Sequence, residues 1–261
     1  MKRTTRRRLK LGVQYAIFVA VVVVLVLIAD WEAIRENFFD VDVLKNLWPE
    51  IITIAAKNTL IYTFTAFFGG LVLAVVLALM RLSEVAPYRW VARGYIEFFR
   101  GLPALLVIIA FGFAIPIAFQ WRPPGGTTGA GVLALTIVAS AYMAETIRAG
   151  IQAVPKGQAE AARSLGMSAT RTMFSVVLPQ AFRIVIPPLT NEFVLLLKDT
   201  SLLYVIGMAL DERELTTFGR AAQSTYSDSS PLVAAAVMYL IITLPLTQLV
   251  NRLEQRQQRA R

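Results

Sequence analysis

Between residues 183 and 209 an apolar stretch carries Asn191, Glu192, Lys198, Asp199, Thr200 and Ser201. If that stretch crosses a bilayer, a charge near its centre costs about 2.5–3.5 kcal/mol on insertion scales. Glu192, Lys198 and Asp199 must then face protein, water or one another. Glu192 and Asp199 stand almost two helical turns apart and share one face, while Asn191 and Lys198 occupy the strip beside it. A zwitterionic amino acid needs a carboxylate for its ammonium group and a cation or helix N-terminus for its own carboxylate. Asn191, Glu192, Lys198, Asp199 and Ser201 are the candidate ligand contacts on this strip. The alternative is a self-compensating network in which Lys198 pairs with Asp199 or Glu192 and no ligand enters.

The composition removes other chemistry. The 261 residues contain no cysteine and no histidine, which excludes disulfides, thiolate nucleophiles, histidine metal sites and triads with a histidine base. No nucleophile–base arrangement is recognisable, so no catalytic residue and no metal ligand is assigned. The chain is 56% hydrophobic with a net charge of +9. Its apolar residues come in blocks long enough to span a membrane, and its basic residues flank those blocks rather than forming one face. That pattern signals membrane topology, with the lipid bilayer as partner, and not nucleic acid.

The elements that position the strip follow from those blocks. A basic start, Lys2 to Lys10, precedes an apolar run from Leu11 to Ala29 that ends at Asp30-Trp31-Glu32 without a small-residue cleavage site; a retained first span is expected. Residues 30–50 hold Asp30, Glu32, Glu36, Asp40, Asp42 and Glu50 against Arg35 and Lys45. Further spans are expected over 52–80, 101–120, 130–150, 183–209 and 231–250, with a partly helical outer loop over 211–230. Lys/Arg cluster at both termini, over 81–100 and over 148–183, with Arg122 as the outer exception. The positive-inside rule then places both termini and the 155–180 loop in the cytoplasm. Gly69-Gly70, Ala74 and Ala78 permit close helix contact on the second span. Glu145 and Arg148 are spaced for an i,i+3 ion pair, and Gly101-Leu102-Pro103 permits a bend beside Arg100.

The 155–180 loop has the composition of a soluble helix pair. Glu160, Ala161 and Ala162 suit a helix, Gly166 would close it, Ser168 can cap a second helix, and Pro179 is expected to force a fresh start before the next span. Glu160-Ala161-Ala162, then Gly166, then Val176 and Leu178-Pro179, resembles the EAA loop of ABC importer permeases, with Val176 in place of the usual isoleucine. Asn191-Glu192-Phe193 through Leu197 to Leu202, Phe98-Phe99-Arg100-Gly101-Leu102-Pro103 and Ala141 to Gly150 are similar to permeases of the polar amino acid uptake group. Leu102 departs from the small polar residue usual there. The likeness runs from about residue 55 to the end.

This resemblance implies an all-α polytopic membrane protein with six transmembrane helices. Five form a type I ABC importer core over 51–261, and an extra N-terminal helix with the acidic segment occupies 1–50. It implies that Glu160, Ala161, Ala162, Ser164, Leu165 and Gly166 form a cytoplasmic coupling helix that docks on an ATPase subunit, and that Glu192 and Asp199 contact substrate. The implied partners are a second permease subunit, itself or a similar chain, two ABC ATPase subunits, and an extracellular or periplasmic amino acid-binding protein. No Gly-x4-Gly-Lys-Ser/Thr phosphate loop occurs, so the chain needs no cofactor of its own, is not itself an enzyme, and leaves ATP and Mg to the partner. The implied location is the prokaryotic cytoplasmic membrane. The rival reading is an ion-gradient-driven secondary amino acid transporter that uses Glu192 or Asp199 as its coupling carboxylate.

Overall fold

The computed structural model describes residues 3–121 and 123–259. Lys2, Arg122 and Arg261, which enter the charge argument, lie outside the described residues. Every element described is helical. In chain order these are α1 (Arg3–Ile28), α2 (Trp31–Phe38), α3 (Val41–Asn46), α4 (Ile51–Leu82), α5 (Ala86–Gly101), α6 (Ala104–Phe119), α7 (Gly126–Gln152), α8 (Lys156–Ser164), α9 (Ala169–Ile206), α10 (Leu215–Tyr226) and α11 (Ser230–Arg259). The Lys10–Ile28 part of α1, together with α4, α7, α9 and most of α11, is long and apolar enough to cross a membrane. Helices α5 and α6 pass that test only as a pair bent by 105°. The expected third span is thus half of a broken unit. Pro103 pushes Leu102 out of the helical region (φ −100°, ψ 140°), which turns the chain.

The core lies where α4, α7 and α9 meet. Gly70 lets α4 approach α7 closely: an added Cβ would fall 2.8 Å from Met143 Cε and 3.0 Å from the Thr136 carbonyl oxygen. Ala66, Ala74 and Leu77 on α4 and Leu135, Met143 and Ala144 on α7 are buried there. A second cluster ties Leu47, Ile51 and Ala55 to Leu215 and Phe218 on α10 and Ala235 on α11. The segment 30–50 therefore packs onto the bundle. Ser229 donates its backbone N–H to the Asn37 carbonyl, and Asp40 donates its own to Ser230 Oγ. The apolar window of α1, by contrast, has no buried residue, as fits a helix outside the core.

One expectation is corrected. Pro179 does stand in the first turn of a fresh α-helical stretch, Leu178–Asp199, but the fifth span does not begin at 183. Helix α9 runs from Ala169, within the 155–180 loop, to Ile206, passing through a π-turn before Leu178 and a 3₁₀ turn after Asp199. A wide π-turn at Met173–Val177 precedes Pro179, so the backbone already departs from regular i→i−4 bonding where proline brings no N–H.

Candidate functional site

Helix α9 presents Glu192, Leu195, Leu196 and Asp199 as one i, i+3, i+4, i+7 stripe. All four line a cavity of about 310 Å³ together with Ala104 at the start of α6 and Leu135, Val138, Ala139 and Tyr142 on α7. The two carboxylates are its only acidic lining groups, and both are half-buried. Asn191 and Lys198 fall on the neighbouring strip, are exposed, and do not line the cavity; Ser201 does not line it either. Among the described residues Lys198 forms no ion pair with Glu192 or Asp199. The structure thus joins two of the five candidate contacts on one cavity and sets the other three apart from it.

Tyr142 was not among the candidates. Its ring carries the Arg100 guanidinium 5.6 Å from the centroid, and its hydroxyl donates to the Arg100 carbonyl at 3.4 Å. Tyr142 lies two turns from Leu135 on α7, a spacing that puts both on one face but says nothing of what that face meets. Deeper along α7, Arg148 Nε donates to Glu145 at 2.9 Å and its Nη1 to Gln152 at 2.6 Å. The expected ion pair forms.

The 155–180 loop folds from local rules. Helix α8 ends at Ser164, and Gly166 takes φ +84°. Gly166 N–H donates to the Arg163 carbonyl at 2.9 Å and Met167 N–H to the Ala162 carbonyl at 3.2 Å. These two bonds form a Schellman motif, which satisfies carbonyls that the helix end would leave open. Ser168 then caps the start of α9, its Oγ accepting from Arg171 N–H at 3.3 Å. Ala162 packs inward, whereas Glu160, Ala161, Ser164, Leu165 and Gly166 are exposed, Leu165 to 85%. Gln180 Nε2, on α9, donates to Gln158 on α8 at 3.3 Å. A tied-down helix thus holds out an apolar tip.

Comparison with known proteins adds an independent line. Residues 70–259 match the family described as "Binding-protein-dependent transport system inner membrane component". The chain is 42% identical to the "Probable glutamine ABC transporter permease protein GlnM" of Bacillus subtilis over 76% of this chain and 89% of the relative. It is 35% identical to the L-cystine transport system permease protein TcyB of the same organism, over 87% and 90% of the two chains. A crystal structure of an amino acid ABC transporter with histidines superposes with a TM-score of 0.74 at 39% identity, covering 83% of this chain and 98% of that one.

Proposed function

The chain belongs to the family of inner membrane components of binding-protein-dependent transport systems, and we propose that it is the permease subunit of an ATP-driven importer of polar or charged amino acids. The observation that carries the cargo class is the paired carboxylates, Glu192 and Asp199, on one cavity between α7 and α9. An ammonium group entering that cavity meets two acceptors, beside the ring of Tyr142, which carries Arg100 of α5 on one face. Relatives named for glutamine and L-cystine fit such a site.

In this reading residues 51–261 form the permease domain, both termini and the 155–180 loop are cytoplasmic, and the loop between α9 and α11 is external. The stretch Glu160 to Gly166, exposed except for Ala162, docks on an ATPase subunit, which holds ATP and Mg. A second permease copy or a similar chain completes the path, and an external binding protein delivers cargo. Closure of the ATPase pair moves the two loops together and turns the cavity outward, as rigid-body alternating access requires.

The test is uptake into proteoliposomes holding this chain with its ATPase, with binding protein added outside. Glutamine, glutamate, cystine and arginine are offered in turn. Uptake that needs ATP and binding protein for at least one of them is expected. Uptake driven by a proton or sodium gradient without ATP would sink the reading and restore the gradient-coupled alternative.

A further inference from the structure

Helix α10 has two faces with opposite tasks. Leu215, Phe218 and Gly219 are buried, and Gly219 sits so near α11 that an added Cβ would lie 3.1 Å from the Ala235 side chain. On the other side Thr217, Arg220 and Ser224, at i, i+3 and i+7, line a separate cavity of about 300 Å³ with Arg213 and Tyr204.

The charge of this cavity is one-sided. No carboxylate lines it. Among the described residues neither Arg213 nor Arg220 lies within ion-pairing distance of an acid. Arg220 lies over the Tyr204 ring, 4.9 Å from its centroid, a cation–π contact that holds the guanidinium without occupying its N–H donors. Arg213 Nε is buried and has no hydrogen-bond partner, the kind of orphaned donor that folded proteins rarely keep without a use. Nearby acids are engaged elsewhere: Glu212 accepts from the Thr128 hydroxyl at 2.6 Å, and Glu214 from Thr216, Thr217 and Tyr239. Asp211 is exposed and does not line the cavity.

The Thr217 hydroxyl is spent on Glu214 at 2.6 Å, but the two guanidiniums and the Ser224 hydroxyl line the cavity, and planar guanidinium donation matches a carboxylate. Their position gives this meaning. Tyr204 belongs to the 3₁₀ turn Thr200–Ile206 that follows Asp199 directly. At about 2 Å of rise per residue it lies about 10 Å outward of Asp199, the outer member of the carboxylate pair. Lys198, the cation expected to hold the cargo's own carboxylate, is exposed on another strip. We infer that the Arg213–Arg220 cavity is a carboxylate-binding subsite at the external mouth that receives the α-carboxylate of the incoming amino acid. This rests on the proposed import of amino acids and on the external placement of the α9–α11 loop.

The test reads the site apart from transport. The permease–ATPase complex in nanodiscs is treated with phenylglyoxal, an arginine reagent, and labelling of Arg213 and Arg220 is followed by peptide mass spectrometry. Sodium acetate, L-glutamine and glycinamide hydrochloride serve as probes at equal ionic strength. Acetate and glutamine should slow labelling by about threefold or more once present at about twice their Kd, and glycinamide, which has no carboxylate, should not. No slowing, or equal slowing by all three, overturns the subsite. In the uptake assay the double variant Arg213→Gln/Arg220→Gln should raise the KM for glutamine at saturating binding protein. If the binding-protein concentration for half-maximal ATPase activity rises instead, with KM unchanged, the carboxylate comes from the binding protein and the cargo assignment falls. Protection without amino acid uptake by the wild type refutes the proposed function alone, and uptake without protection refutes the subsite alone.

Discussion

Leu165→Ala tests the docking role proposed for the 155–180 loop. Leu165 is 85% exposed at the tip of the turn, so almost none of its apolar surface contributes to the fold. Truncating it should change the stability of the permease by no more than about 0.5 kcal/mol, as for surface positions generally. If the same side chain enters a groove on an ATPase subunit, truncation removes about three carbon groups of burial. At about 0.8 kcal/mol each, that amounts to roughly 2 kcal/mol per loop. The dissociation constant of the ATPase should therefore rise by about 30-fold, since 1.4 kcal/mol corresponds to a factor of ten. The assay is titration of purified ATPase subunit onto the permease in nanodiscs, with Tm measured in parallel. Gly166→Ala acts differently. At φ +84° an alanine costs about 1 kcal/mol in the cap itself, so it should loosen docking through the geometry of the turn. A Leu165→Ala dissociation constant within about threefold of wild type, at unchanged Tm, would refute the argument that this tip is buried in a partner.

Three further outcomes follow from the same geometry. If Glu192 and Asp199 hold the cargo ammonium group as proposed, Glu192→Gln and Asp199→Asn each remove a charge-assisted hydrogen bond worth about 1.5–3 kcal/mol and should raise the uptake KM by about 10- to 100-fold; unchanged KM in both would assign the carboxylates to a structural network. Gly70→Val would set its Cβ 2.8 Å from Met143 Cε, and the overpacking should cost about 1–3 kcal/mol, read as a lower Tm in nanodiscs; an unchanged Tm would show that α4 and α7 can separate freely. Glu214 is fully buried, and burial pushes its carboxyl above the usual range despite the bonds from Thr216, Thr217 and Tyr239. Its neutral form is thus favoured on folding, so the stability it contributes is full below the ordinary carboxylate pKa of about 4.3 and is lost as pH rises through its raised folded value. Tm scans against pH should show a decline in the wild type that Glu214→Gln flattens, and parallel profiles would contradict this.

What was readable in the residues is what local physics determines. The membrane spans follow from apolar length, the Gly166 and Ser168 caps from backbone bonding within a few residues, and the Glu145–Arg148 pair from helical spacing. Three features were not readable, each for a tertiary reason. Glu214 looked like one more charge in an acidic outer loop, yet it caps α10 from a buried position, with Tyr239 on another helix donating to it at 3.0 Å. Tyr142, Leu135 and Val138 join the Glu192–Asp199 cavity because α7 crosses α9 there, and periodicity on α7 cannot name its neighbour. The start of α9 inside the loop was not readable because a π-turn at Met173–Val177 carries helical backbone through to Leu178, ahead of Pro179.

That last difference changes how motion reaches the cavity. A break in the helical backbone at Pro179 would make the loop and the span separate bodies joined by a swivel. Instead α9 begins at Ala169, three residues past Gly166, and carries Glu192 and Asp199 on the same continuous helix. At 1.5 Å per residue the path from Ala169 to Glu192 is about 35 Å, so a displacement imposed at the loop tip is transmitted along one rod. The rod has weak points where backbone bonds are missing: the π-turn Met173–Val177, and Pro187 and Pro188 inside the helix. Pro187 and Pro188 stand about one turn before Glu192 and supply no N–H to the carbonyls four residues earlier. Bending there would tilt the carboxylate stripe against α7, opening or closing the cavity without breaking the core contact at Gly70. Restoring those bonds with Pro187→Ala/Pro188→Ala should stiffen the rod, uncoupling ATP hydrolysis from uptake while leaving docking of the ATPase intact. An unchanged ratio of amino acid carried to ATP hydrolysed would show that α9 moves as a rigid body and that the prolines have no part in coupling.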